Sequence, residues 1–232
     1  MLGASATSTA LAPIPPISYN ARRMTPDRIA ELLSPFLEGA LLSESQLAQV
    51  AAYAALLEKW NARINLTAVR DPDEIVTRHF GESFFAASRL FPVRDASQTA
   101  IDVGSGAGFP GLPIKIWNPT LNLTLIEANQ RKVAFLREAV RTLGLANVRV
   151  LAVRAEQVSQ QADFVILRAV ERFEQILPVA LKLTAPSGRL ALLIGNSQVE
   201  LATSVLSGVE WQNPSPLPLS HSRSVLVGNL PA

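Results

Sequence analysis

The chain has 232 residues, 48% of them hydrophobic, with 21 Lys and Arg against 19 Asp and Glu and a formal net charge of +2. It has no cysteine, which excludes disulfides, thiolate nucleophiles and iron–sulfur clusters, and only two histidines, His79 and His221, which argues against a histidine-based metal site. No apolar run approaches the ~20 residues of a membrane span. Arg22 and Arg23 account for the whole charge excess, so a nucleic-acid footprint must be local rather than global.

Residues 1–23 are rich in Ala, Ser, Thr and Pro and read as a disordered tail with no secretory pattern. Met24, directly before the cap Thr25-Pro26, is a candidate start of the native protein. Three helices are then predicted. The first is Pro26–Glu38. The second opens with the capping box Ser43…Gln46 and runs to about Arg63, with Leu47, Val50, Ala54 and Leu57 on one face. The third opens at Asp71-Pro72 and reaches about Leu90, with Gly81 weakening its middle. Residues 24–92 thus form a helical subdomain before a core at 93–232.

From Thr99 the pattern alternates. Strands are predicted at Ala100–Val103, Leu121–Glu127, Val148–Val153, Phe164–Leu167, Arg189–Ile194 and Ser224–Val227, the last paired with Val209–Gln212. Helices fit at about Gly111–Trp117, Gln130–Leu143, Phe173–Leu183 and Ser197–Leu206. Alternation of this kind implies an α/β, Rossmann-like fold with a mainly parallel sheet.

The segment from Thr99 to Gly111, TAIDVGSGAGFPG, is a strand turning sharply into a helix, with glycines at 104, 106, 108 and 111. Such a turn lets the backbone approach a ligand closely, and the following helix points unpaired N–H groups at it. Two registers fit. Gly106–Gly111 satisfies the dinucleotide fingerprint, and Gly104–Gly108 gives a tighter turn directly after the strand. With Gly104 as the first glycine, Phe109 spoils the dinucleotide pattern. A carboxylate at Asp102 suits the positive charge of S-adenosylmethionine better than a pyrophosphate. The expected contacts are Asp102, Gly104, Gly106, Gly108 and Phe109, with a dinucleotide as the competing reading.

Ligands of open α/β sheets sit beyond the carboxyl ends of the strands. Glu127 falls there, where it can accept both hydrogen bonds from a ribose diol. Ala155-Glu156 follow the third strand, where an adenine edge would lie. Arg168 follows the fourth and could hold a phosphate or the cofactor carboxylate. Each has a plainer alternative, as a loop acid or a local ion pair. Residues 130–172 carry eight basic against four acidic side chains, including Arg131, Lys132, Arg137, Arg141 and Arg154. Carbon-5 pyrimidine methylation needs a cysteine, and exocyclic-amine methylation an Asn/Asp-Pro-Pro-aromatic turn where this chain has Leu167-Arg168-Ala169-Val170. A ring nitrogen such as guanine N7 needs no base, and holding it in line with the methyl group can supply roughly 7–11 kcal/mol.

Lys59-Trp60-Asn61…Asn65-Leu66-Thr67-Ala68-Val69-Arg70-Asp71-Pro72, then Arg78-His79, then the 102–111 loop resemble the ribosomal small-subunit RNA methyltransferase G family, also called glucose-inhibited division protein B. The resemblance implies methyl transfer from S-adenosylmethionine to N7 of a guanosine in the 530 loop of 16S rRNA. It also implies a seven-stranded class I methyltransferase sheet of order 3-2-1-4-5-7-6, with no catalytic acid or base. A cytoplasmic location and a monomer acting on rRNA or the small subunit are separate expectations. By the same resemblance Gly104, Phe109, Ala155, Glu156, Arg168 and the ribose ligand Glu127 are cofactor contacts. Arg78, His79, Arg154 and Arg223 are candidate RNA or site-organising residues. Three positions depart from the family pattern. Gly81-Glu82-Ser83 replaces an aliphatic-Asp-Ser, Leu167 replaces a Ser, and Ile194 replaces a Lys, with Arg189 or the Arg131–Arg141 region as possible compensation. A methylase of protein or small molecules and an inactive ribosome-binding module are the alternatives.

Overall fold

The computed structural model describes residues 24–93 and 98–232, so the segment read as a tail lies outside them. Thr25 Oγ1 accepts from the Arg28 amide at 3.2 Å and starts helix α1 (Pro26–Leu33). The predicted continuation to Glu38 gives way to a 3-10 turn at Ser34–Phe36. Pro35 has no N–H to donate there, and Glu38 and Gly39 turn left-handed. Helix α2 (Glu44–Asn61) opens with the expected box: Ser43 Oγ accepts from the Gln46 amide at 3.3 Å, and Gln46 Oε1 from the Ser43 amide at 2.9 Å.

The third predicted helix is continuous but changes pitch. After α3 (Pro72–Glu74), capped by Asp71, the chain widens into a π-helical stretch at Ile75–Gly81 and returns to α geometry in α4 (Glu82–Leu90). The π stretch carries Arg78 and His79, the kind of place where such irregularities accompany function. Gly81 is there for packing. A Cβ on it would lie 2.6 Å from the buried Phe36 ring.

The sheet comprises β1 (Thr99–Val103), β2 (Asn122–Ile126), β3 (Val148–Leu151), β4 (Ala162–Arg168), β5 (Thr184–Gly195), β6 (Glu210–Trp211), β7 (Ser215–Pro216) and β8 (Arg223–Asn229). Its order is β3-β2-β1-β4-β5-β8-β6, with β7 also paired to β8. Strands β1 to β5 are parallel, and β8 runs antiparallel to β5, β6 and β7. This is the expected order with one extra two-residue strand. Strand β5 begins earlier than predicted. Pro186-Ser187-Gly188, ahead of the predicted start at Arg189, lies within β5, beside a register shift against β4 and with Ser187 at φ 58°.

Helices α5 (Gly111–Trp117), α6 (Gln130–Thr142), α7 (Phe173–Leu183) and α8 (Val199–Val205) complete the layers. One face of the sheet packs α7 and α8 through Leu177, Ala180 and Ala202. The other packs α5 and α6 together with α1, α2 and α4, so that Ile29, Val50, Leu57 and Phe84 share one core with Leu123, Leu125 and Ile166. The helical segment therefore has no core of its own. Because Phe36 fills the space at Gly81, Gly81→Val should cost about 2–3 kcal/mol by overpacking. Urea unfolding monitored by circular dichroism would measure it.

Candidate functional site

The carboxyl ends of β1, β2, β4 and β5 open onto two lobes, of about 650 and 580 Å3, that meet at Gly104, Lys132, Ala169 and Val170. The loop after β1 forms the partition. Gly104 and Gly106 take left-handed φ of 69° and 57°, which L side chains adopt at a cost. Gly106 N–H donates to Glu127 Oε2 at 2.9 Å, and the Asn129 amide donates to Glu127 Oε1 at 2.7 Å. The carboxylate ending β2 thus braces both the glycine turn and the start of α6. Each oxygen keeps a further lone pair. Glu127 lines the second lobe with Ile126, Asn129, Arg154, Ala155 and Glu156.

Asp102 and Gly108, expected among the ligand contacts, line neither lobe. Asp102 is 1% exposed and accepts the Gly111 amide at 3.2 Å from beneath the loop. Burial pushes its carboxyl up to about 7, and Oδ1 has no partner among the described residues. Gly111 must be glycine because a Cβ would come 2.6 Å from Asp102 Oδ2. Gly108 faces α2, where a Cβ would run into the Tyr53 hydroxyl and Leu112. The Asp102 carboxyl stands behind the turn rather than in the crevice.

Phe109 lies against Tyr53 at 5.2 Å with ring planes 4° apart, and against His79 at 4.9 Å and 26°. Phe80 meets it edge-on at 5.1 Å. The Tyr53 hydroxyl donates to the Ala107 carbonyl. This stack joins α2, the π stretch and the glycine loop.

Next to it lies a charged cluster. The Arg168 guanidinium donates to the Arg78 carbonyl at 2.8 Å and to Glu82 Oε2 at 2.9 Å, and its Nη1 lies 3.3 Å from His79 Nδ1. Arg223 reaches the other Glu82 oxygen at 2.7 Å. The side chains of Glu82 and Arg168 are 3% and 12% exposed. Burial lowers Arg168 from its ordinary value while Glu82 opposes that shift. One carboxylate serves two guanidiniums, leaving the wall net positive. His79 is held down to about 3, by burial first and then by Arg168, Arg78 and Arg223. Its Nε2 lies 2.7 Å from Thr67 Oγ1. The structure therefore gathers Gly104, Gly106, Phe109, Arg78, His79, Arg168 and Arg223 on the first lobe, and Glu127, Arg154, Ala155 and Glu156 on the second.

A family model for rRNA small subunit methyltransferase G (GidB) matches residues 46–205. The chain belongs to that family. It is 39% identical over 197 residues to the Ribosomal RNA small subunit methyltransferase G of Stenotrophomonas maltophilia, covering 84% of this chain and 90% of the relative. It is 42% identical to that of Roseiflexus sp. (strain RS-1) over 158 residues, 66% of this chain and 66% of the relative's length. The fold is similar to a SAM dependent methyltransferase from Aquifex aeolicus at TM-score 0.54 and 18% identity, over 69% of this chain and 94% of that one. It is also similar to M. jannaschii TYW2 in complex with AdoMet, at TM-score 0.53 and 15% identity, over 72% of this chain and 78% of that one.

Within the family frame the three departures gain physical content. Glu82, noted only as a replacement for Asp, is the carboxylate that neutralises the site; its role was hidden because both partners are more than 80 residues away in sequence. Ile194 is buried on the wall of the first lobe, and Arg223 stands on the neighbouring strand opposite Gly195. A cation thus reaches the region from β8. Arg189 does not compensate. It pairs with Asn229 and Phe164 away from the carboxyl ends, its guanidinium 5.8 Å from the Phe164 ring centre. On α6, Arg131 and Arg141 are exposed, and Lys132 lines both lobes. Leu167 packs wholly inside the core.

Removing one partner of a buried ion pair leaves an uncompensated charge, so Glu82→Gln should destabilise the protein by about 3–5 kcal/mol. Chemical unfolding at neutral pH would measure it. The His79 ring adds a pH dependence of definite sign. Its folded value, about 3, lies below the ordinary 6.5. The stability it contributes is complete above pH 6.5 and is lost as pH falls through the folded value. The drop in unfolding midpoint between pH 7 and pH 4 should accordingly be smaller for His79→Gln than for the wild type.

Proposed function

We propose that the protein transfers the methyl group of S-adenosylmethionine to N7 of a guanosine in the 530 loop of 16S rRNA. The observation that carries this reading is that the acid–base side chains of the lobes that are shielded from solvent, His79, Glu82 and Glu127, are all engaged by other groups. Both nitrogens of His79 are engaged by Thr67 and Arg168. Glu82 is held between two arginines, and Glu127 holds two backbone amides. A ring nitrogen attacks with its lone pair and releases no proton, so such a site needs orientation rather than acid–base chemistry.

The chain's residues fit the cofactor. When bound, it supplies a methyl group on a positively charged sulfur. The remaining lone pairs of Glu127 accept the ribose diol, while Ile126, Ala155 and Glu156 line the purine side of the second lobe. Gly104 carries no side chain at the junction of the lobes and Gly106 none on the first lobe, where a Cβ on Gly106 would meet nothing closer than 3.7 Å. Arg168 holds the cofactor carboxylate or a phosphate through its planar fork. Asp102, whose Oδ1 lacks a partner beneath the loop, would be drawn toward its ionised form by a bound cation and so acts through its field rather than by contact. Arg78, Arg154, Arg223 and Lys132 offer positive charge to the RNA backbone around the opening. The protein acts as a monomer in the cytoplasm, on the small subunit or its rRNA. Among the described residues no helix is long and apolar enough to cross a membrane.

Radiolabelled methyl donor incubated with small subunits, naked 16S rRNA and a protein extract tests the reading. Label should enter RNA and digest to N7-methylguanosine; label in protein, or in another nucleoside, would contradict it. By calorimetry, Glu127→Ala should weaken S-adenosylhomocysteine binding by about a hundredfold or more, the loss expected for two hydrogen bonds to a charged group.

A further inference from the structure

Thr67 closes the Asn-Leu-Thr segment and lines the first lobe beside His79 and Phe109. Its backbone is fixed by Asn61. Asn61 Oδ1 accepts the amides of Leu66 at 2.9 Å and Thr67 at 3.1 Å, and its Nδ2 donates to the Thr67 carbonyl at 3.1 Å. The hydroxyl is fixed as well. Thr67 Oγ1 accepts the Val69 amide at 3.1 Å and lies 2.7 Å from His79 Nε2.

The direction of that last bond follows from the other ring nitrogen. His79 Nδ1 lies 3.3 Å from Arg168 Nη1, and a guanidinium is only a donor. Nδ1 is therefore the acceptor, the ring proton sits on Nε2, and His79 donates to Thr67. A hydroxyl has two lone pairs and one proton. Both lone pairs of Thr67 are in use, and none of the described residues accepts its proton. The side chain presents the lobe with a donor and no acceptor.

We propose that Thr67 selects guanine by donating this hydroxyl proton to O6 of the base whose N7 is methylated, an inference that rests on the guanine-N7 activity proposed above. Guanine carries two acceptors on that edge, N7 and O6, whereas adenine sets an N6 amino donor beside its N7. N7 must stay free to attack, which leaves O6 as the atom a wall donor can take. A hydroxyl with both lone pairs filled attracts O6 and repels an amino group. Adenine, which also offers an N7 lone pair, is thereby turned away. Val69 and His79 take part by filling the acceptor capacity of the hydroxyl.

The test compares small subunits reconstituted with 16S rRNA bearing either guanine or 2-aminopurine at the methylated position. 2-Aminopurine keeps N7 and lacks O6. The wild type should favour guanine by about tenfold in kcat/KM, and Thr67→Val should lose about tenfold more on guanine than on 2-aminopurine. Thr67→Ser, which keeps the hydroxyl, should retain the preference. Equal losses on both bases in Thr67→Val would assign Thr67 a purely structural role and overturn the proposal, as would no loss on either. A wild type that treats the two RNAs alike overturns it whatever the stability of the variants. Failure of the wild type to methylate even the guanine RNA would instead refute the guanine-N7 reading.

Discussion

A guanidinium removed from water at the end of β4 is the constraint on which the site depends. Taking Arg168 out of solvent costs several kcal/mol unless an anion meets it with good geometry. No acid in the sheet does so; Glu82, at the start of α4, does. The helical segment before the sheet is therefore part of the site rather than an addition to it. Its helices share the core of one sheet face, and its carboxylate neutralises the sheet's arginine. Arg223, drawn to the second oxygen of Glu82, brings β8 into the same arrangement and leaves one positive charge in excess. That excess suits anionic partners, whether a cofactor carboxylate or an RNA phosphate.

The glycine loop is held between this cluster and α2 by the aromatic stack. Phe109 lies between Tyr53 and His79, so the loop takes its position from the helical segment as well as from β1. The loop glycines divide by cause. Gly104 and Gly106 have left-handed backbones on the first lobe, where a ligand can approach. Gly108 and Gly111 are required by Tyr53, Leu112 and Asp102 on the buried side. One motif thus serves binding on one side and packing on the other.

Much of this was legible in the sequence, because it follows from local rules. The helix caps, the alternation of strand and helix, and the glycine turn before α5 all depend on neighbours a few residues away. What stayed hidden depends on distant partners. Asp102 reads as a counter-charge for a cofactor because its position next to the turn is local, but the side of the turn it faces is set by packing beneath α5. Glu82 reads as a conservative replacement because Arg168 and Arg223 are invisible to spacing. Gly81 reads as a helix weakness, whereas the Phe36 ring from another helix demands it. Strand β5 reads as starting at Arg189, whereas Thr184 already pairs with Ala162 of β4 ahead of the register shift. The link between the Lys-Trp-Asn and Asn-Leu-Thr segments was legible only as a resemblance; the structure supplies its cause in the three hydrogen bonds of Asn61.

The most direct test of guanine-N7 methylation is a map of N7-methylguanosine in 16S rRNA from a strain lacking this protein, with and without the gene restored. The account predicts that one modified guanosine, in the 530 loop, disappears in the deletion and returns with the wild-type gene. An unchanged map, or loss of a methyl group from a different kind of nucleoside, would contradict it.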